Sequence, residues 1–265
     1  MPGAQLSQAQ FQRPAHQIEA KAGLHFSAAK RELLNARLGK RMQATGIQDT
    51  REYLRKAEEN GEFERLLDQV TTNQTYFWRE PEHFLHLSRW IGEQKGQSAA
   101  PLRIWCAASS SGEEAYTLAM TALEALNGER EVKILASDLS ERMLDKAVLG
   151  VYDAGRVQGL PAGWRDRYFV RLPDGRWQAG ALLRSTVRFA RLNLLELPAA
   201  PMRLDAIFCR NVMIYFDRPV QQHLVLELQG RLRPGGWLYT GMAESLLAIH
   251  HGLINRAPSA YQRPA

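Results

Sequence analysis

Cysteine, long apolar runs and phosphate-binding glycines are all scarce in this chain, and each scarcity excludes something. The 265 residues hold two cysteines, Cys106 and Cys209, too few for a disulfide framework and without Cys or His partners at metal-ligand spacing. They read as small buried hydrophobes, and no metal site is expected. No run approaches the roughly 18 apolar residues that span a bilayer, and the opening MPGAQLSQAQFQRP lacks the charged-then-apolar pattern of a secretory leader. The expectation is a cytoplasmic protein with no membrane insertion. No G-x-G-x-x-G follows a strand-like run, so a dinucleotide pyrophosphate finds no cradle of bare amides.

What is present is a foldable chain with a localised charge. Hydrophobic residues make up 45% of it, enough to bury a full core in one large or two modest domains. The formal net charge is +6. Residues 27–56 carry eight Lys or Arg (Lys30, Arg31, Arg37, Lys40, Arg41, Arg51, Arg55, Lys56) against three acids (Glu32, Asp49, Glu52), so most of the surplus sits there. Such a concentration suits an acidic partner, either nucleic acid or an acidic protein helix.

Residues 6–73 read as helices. From about residue 27, Leu34, Leu38 and Met42 recur at i, i+4 and i+8, while Lys30, Arg37 and Arg41 fall at i, i+7 and i+11. On a helix those cations form a line beside the apolar stripe. A solvated face would look the same; the concentration of charge favours a binding face. After a helix over 81–95 and a soft stretch over 96–100, strands alternate with helices: 102–107, 112–126, 132–137, 140–149, then 204–209, 219–232 and 236–240. That alternation predicts a parallel sheet covered by helices on both faces. Between the blocks, RYFVRLPDGRWQAGALLRSTVRFARL has Asp174-Gly175 between two alternating runs and a third run at 186–192, a small antiparallel insertion built on a hairpin.

Ligands of open α/β sheets sit at the carboxyl ends of the strands. The first strand is followed by AASSSGEE, a loop of small residues and then carboxylates that would repel phosphate. A nucleoside without phosphate and with a positive group fits, and S-adenosylmethionine is such a molecule. The second strand ends in Asp138, which can take both ribose hydroxyls or can cap the next helix through Asp-x-x-Glu with Glu141. The phosphate-hostile first loop favours the ribose. Asn193 and Arg210-Asn211 follow later strand-like runs. Arg210 and Asn211 interrupt an apolar stretch, and burial of either unpaired would cost several kcal/mol on the order of a lost charge or amide partner, so both need partners.

The phrases TTNQTYFWRE, RIWCAASSSGEEAYTLAM, ILASDLSERMLDKA, LPAGWRDRYF, LNLLE, FCRNVMIYF and LRPGGWL, in this order over about residues 20–245, resemble the CheR family, methyltransferases that esterify glutamates of bacterial chemoreceptors. The resemblance implies an α/β architecture: a Rossmann-like S-adenosylmethionine-dependent domain with a small antiparallel β-subdomain insertion, preceded by an all-helical domain. The boundaries it suggests are 1–75 for the helical receptor-docking domain, 76–100 for a linker and helix, and 101–265 for the methyltransferase domain with the insertion at about 168–192. It places cofactor contacts on Asn73, Thr75, Arg79, Glu113, Asp138, Asn193, Leu194, Arg210 and Asn211. It places receptor contacts on Arg37, Lys40 and Arg41, with Gln43 standing where better-known members carry another arginine. Some relatives grip a receptor tail peptide with the β-subdomain; the compact insertion here points to tail-independent recognition by a monomer.

The implied reaction needs little machinery. A glutamate acceptor, with a pKa near about 4.3, is already ionised, so alignment and exclusion of water suffice. Arg79 and Arg210 are candidates to orient a carboxylate, and Tyr215 either lines the pocket or packs in the core. Two other readings stay open. One is a nucleic-acid methyltransferase gripping through the basic helices, disfavoured because Arg210-Asn211-Val212-Met213 stands where an Asn/Asp-Pro-Pro-aromatic run would be needed. The other is a signalling module that binds the cofactor without catalysis.

Overall fold

The computed structural model describes residues 16, 19, 28–59, 61, 62, 65, 66, 75–199 and 202–265. The chain divides into two compact units, Met1–Asn73 with Tyr215–Val220, and Gln74–Ile214 with Gln221–Ala265. In the first, helices α1 (Ala28–Thr45) and α2 (Thr50–Glu59) are described. The stripe Leu34, Leu38 and Met42 is buried, as are Tyr53, Leu54, Ala57 and Leu66. Of the line of cations beside it, Lys30 has a side chain outside the described residues, while Arg37 is half-buried and Lys40 exposed. Arg41 behaves differently: its Nε and Nη2 donate to the two carboxylate oxygens of Glu62, each at 2.6 Å. The Tyr53 hydroxyl donates to Glu62 Oε1 at 2.9 Å. Burial pushes the Glu62 carboxyl up, but bonds from Arg41 and Tyr53 outweigh it and hold the group below the usual carboxylate range.

The second unit is built on a seven-stranded sheet in the order β6-β2-β1-β7-β8-β10-β9. Its strands are β1 (Leu102–Cys106), β2 (Val132–Asp138), β6 (Val187–Arg191), β7 (Leu204–Cys209), β8 (Leu232–Thr240), β9 (Ile254–Ala257) and β10 (Ala260–Gln262). The first five in spatial order are parallel; β10 and β9 return antiparallel. Alternate residues of each central strand face opposite ways. Ile104, Cys106, Ile134, Ala136, Ala206, Phe208, Trp237 and Tyr239 form one core with helices α3 (Pro81–Glu93) and α4 (Glu113–Leu126). Residues of the other parity, Trp105, Ile207 and Leu238, are also buried, so both faces are covered. Helices α5 (Glu141–Leu149) and α9 (Arg218–Arg231) contribute buried Met143, Leu144, Leu224, Val225 and Leu228 outside that core.

A smaller sheet, in the order β3-β5-β4, joins β3 (Val151–Tyr152), β4 (Phe169–Arg171) and β5 (Trp177–Ala179), with short helices α6 (Ala154–Val157), α7 (Trp164–Tyr168) and α8 (Ala181–Thr186) around it. Asp174-Gly175 makes its hairpin turn, with Gly175 at φ 84°. The third run, 186–192, differs from expectation: it is β6, paired in parallel with β2 at the edge of the large sheet. Alternation reports half-burial, and says nothing of which sheet supplies the partner. The third strand of the small sheet is instead β3, whose two residues are too few to show a period. The β9–β10 hairpin also escaped the sequence, since Ser259 takes the left-handed position at φ 52° without the Asn-Gly or Asp-Gly signature of such turns.

Breaking the Arg41–Glu62 tie tests the division of labour on α1. Arg41→Ala takes the two-pronged cation from a buried carboxylate, leaving it the Tyr53 hydroxyl and the more distant Arg65, and is expected to destabilise the helical unit by about 2 kcal/mol, whereas Arg37→Ala and Lys40→Ala change little. All six tryptophans lie in the other unit, so the measurement is amide hydrogen exchange of α1 and α2. Because Glu62 is depressed in the folded state, its contribution is full above its unfolded value of about 4.3 and is lost as the pH falls through the folded value. The gap between wild type and Arg41→Ala should therefore narrow in acid, and a constant gap would refute the assignment.

Candidate active site

The loop leaving β1 is shaped by contacts rather than by length. Ser109 N donates to Ser137 O at 2.9 Å and Ser110, at φ 47°, donates its N–H to Asp138 Oδ2 at 2.8 Å. Gly112 opens α4 at φ 96°, and a Cβ there would lie 2.9 Å from both Ala147 Cβ and the Tyr152 hydroxyl, so glycine is required twice over. The first helical residue, Glu113, is fully buried. Ser111 Oγ donates to it at 2.7 Å and the Arg156 guanidinium pairs with its other oxygen.

Asp138 ends β2 and also receives Ser140 N on Oδ1 at 3.0 Å. It does not cap α5; Ser140 does, accepting from Met143 N at 3.1 Å. Asn193, past β6, uses its amide oxygen to accept Leu195 N at 3.1 Å, closing its own turn, with Leu194 buried behind it.

The segment TYFWRE enters this unit through its aromatics. Phe77 is in the core, edge-on to Tyr152 and Phe169 at 4.9 and 5.5 Å, and Trp78 stacks on Phe84 at 5.2 Å. Thr75 is half-buried and Arg79 lies over the ring of Tyr76 at 5.7 Å. Asn73 falls outside the described residues. Tyr215 ends a short helical turn over Met213–Tyr215 and groups with the helical unit.

Arg210, at the end of β7, has a side chain with no solvent exposure. Its Nη1 donates to Glu114 Oε2 at 2.7 Å, and its Nη2 to the Arg79 carbonyl at 2.6 Å and to Glu80 Oε2 at 3.0 Å. Glu80 also accepts Asn211 Nδ2 at 3.4 Å and Met242 N at 3.2 Å. Burial raises the Glu80 carboxyl, yet Arg210 and the bonds from Asn211 and Met242 bring it below its ordinary value. Glu114 is held above its ordinary value by deeper burial, with Arg210 pulling against the shift. Sequence reasoning required partners for Arg210 and Asn211 but could not name Glu80 or Glu114, because nothing in spacing links residues 80, 114 and 210. Cys209 is fully buried and its thiol is pushed up by that burial and by Glu244 and Glu114, so it offers no nucleophile.

Glu80, Glu113, Glu114, Asp138 and Glu244 thus line the carboxyl-end loops with Arg79, Arg156 and Arg210 as their cations. The excess of acid suits a positively charged ligand and disfavours phosphate. Three buried polar atoms in these loops, Ser109 Oγ, Ser110 Oγ and Arg210 Nε, have no hydrogen-bond partner among the described residues. Buried polar atoms are nearly always paired, so a polar nucleoside at this place fits the residues present. Among the described residues no group of His, Cys, Asp and Glu could hold a metal ion, and no helix is long and apolar enough to cross a membrane.

Comparison with known proteins agrees with this geometry. Residues 73–259 match the CheR methyltransferase, SAM binding domain, and residues 9–71 match the CheR methyltransferase, all-alpha domain. The chain is 37% identical to chemotaxis protein methyltransferase 2 of Pseudomonas aeruginosa, covering 96% of this chain and 92% of that one. It is 36% identical to the chemotaxis protein methyltransferase of Klebsiella aerogenes, over 97% and 90% of the two chains. It is 35% identical to that of Escherichia coli, over 97% and 91%. With the two family models matched over residues 9–71 and 73–259, the second of them an S-adenosylmethionine-binding domain that spans the sheet just described, the chain belongs to the CheR methyltransferase family.

Proposed function

We propose that the protein transfers a methyl group from S-adenosylmethionine to glutamate side chains of bacterial chemoreceptors, forming methyl esters and releasing S-adenosylhomocysteine. The observation that carries this reading is the acid-rich, phosphate-hostile rim with its orphaned buried hydroxyls, set in a chain of this family. When bound, S-adenosylmethionine supplies a methyl group already activated on a sulfonium. Asp138 holds the ribose hydroxyls, and Glu113, tied to Ser111 and Arg156, shapes the loop at the ligand's positive end. Thr75 and Asn73 lie on the segment that leads into Arg79, and Asn193, Leu194 and Asn211 close the site from the later loops. Arg79 and Arg210 remain the two arginines proposed to orient a carboxylate. Arg210 has both terminal nitrogens committed to Glu80, Glu114 and the Arg79 carbonyl, leaving Nε for the ligand.

The acceptor carboxylate is ionised at neutral pH, so no base need remove a proton. What remains for the protein is alignment and the exclusion of water. The receptor's acidic methylation helices are met by the basic face of α1, with Arg37 and Lys40 as its available cations. Recognition without a receptor tail peptide is supported by the tight turn at Leu172 to Arg176, where Leu172 N donates to Arg176 O at 2.8 Å. The reaction belongs to the cytoplasm, where those helices are found.

Incubation with radiolabelled S-adenosylmethionine and a panel of receptor cytoplasmic fragments should label protein, and mild base should release the label as methanol. Base-stable label, or transfer to RNA alone, would overturn the reading. Asp138→Ala should weaken S-adenosylhomocysteine binding in calorimetry at least tenfold, about 1.4 kcal/mol; undiminished binding removes the ribose contact. Arg210→Leu leaves Glu80 and Glu114 buried without their cation and should cost about 3–5 kcal/mol of stability, read by tryptophan fluorescence in urea. A loss under about 1 kcal/mol, the scale of an exposed pair, would show that the cluster is not the anchor described.

A further inference from the structure

Glu244 is buried in the loop that leaves β8, at the same end of the sheet as Asp138 and Arg210. Its carboxylate serves backbone amides from two loops. Oε2 accepts Asn211 N at 2.6 Å and Gly241 N at 2.7 Å, and Oε1 accepts Ile214 N at 3.1 Å. Met213 contributes a further backbone bond. The main-chain carbonyl of Glu244 then accepts Thr240 Oγ1 at 2.9 Å, which fixes the carboxylate's own backbone to the strand below. The residue it holds most closely is Asn211, at φ 57°. A left-handed backbone at a non-glycine residue is disfavoured and persists only where the surroundings enforce it.

Space is equally restricted from the opposite side. A Cβ on Gly241 would lie 2.5 Å from Asn211 Nδ2, 2.7 Å from Glu244 Oε2 and 3.0 Å from Asn211 N. The side-chain amide of Asn211 is thus confined between Gly241 and Glu80, whose Oε1 accepts its Nδ2 at 3.4 Å. A carboxylate is the side chain for this place because both of its oxygens only accept. A glutamine in either orientation would turn an NH2 toward at least one backbone N–H.

We infer that Glu244 is a positioning residue, which with Gly241 fixes the backbone and amide of Asn211 in the geometry that receives the cofactor. This rests on the reading of Asn211 as a cofactor contact. Glu244 touches neither cofactor nor substrate in this role; it acts through Asn211. Its influence falls on cofactor affinity, while recognition of the receptor is left alone.

The test measures S-adenosylhomocysteine affinity by calorimetry and the two KM values, well below the melting temperature of each variant. Glu244→Gln and Gly241→Ala, which disturb the same ring from opposite sides, should each weaken S-adenosylhomocysteine binding about tenfold or more and raise the KM for S-adenosylmethionine. The KM for the receptor fragment should stay within about twofold. On an Asn211→Ala background, Glu244→Gln should add less than about twofold, as for two residues acting through one contact. A purely structural Glu244 would lower the melting temperature and leave the affinity of the folded protein unchanged. Normal affinity in both variants while Asn211→Ala loses binding overturns the inference and leaves the cofactor reading standing. Normal affinity in Asn211→Ala itself overturns both.

Discussion

A guanidinium taken wholly out of water must be compensated inside the protein, and that requirement at Arg210 organises the end of the sheet. Two carboxylates and a carbonyl meet it, and they come from three places: α4, the turn before α3, and the backbone of the linker. Removing a buried ion's partners is far more damaging than never having had the pair. The cluster therefore fixes the relative positions of β7, α4 and the TYFWRE segment. Glu80 extends the arrangement to Asn211 and Met242, and Glu244 continues it along the next loop. The carboxyl end of the sheet is a set of acids tied to backbone amides and one buried cation.

Much of this was legible in the sequence where a local pattern had a local cause. Leu34, Leu38 and Met42 announced a buried stripe because helical spacing and burial are the same fact seen twice. Asp138 was expected at the end of the second strand, and it ends β2. Tertiary partnerships were not legible in this way. Arg41 looked like the third cation of a surface line, and only the fold shows Glu62 arriving twenty-one residues later to accept from its Nε and Nη2. Glu114 looked like a phosphate-repelling neighbour of Glu113, although the two point to different partners, one to Arg210 and the other to Arg156. Strand β6 carried the right period and gave no hint of which sheet it would join.

The basic face of the helical unit is accordingly weaker than a count of residues suggests. With Arg41 neutralised internally, two cations of the set assigned to receptor contact remain to act across solvent. Their reach is limited to about 8–10 Å at ordinary ionic strength. Under the proposed docking through α1, so few charges make the encounter sensitive to salt.

The bond from Arg210 to residue 79 is made to a carbonyl, a group that every amino acid carries. The fastening of the linker is thereby independent of the side chain at that position. The side chain at 79 can be exchanged without removing the bond that straps the segment to Arg210. Anchorage lies in the backbone of this residue and the proposed carboxylate-orienting role in its side chain, so a substitution there separates the two.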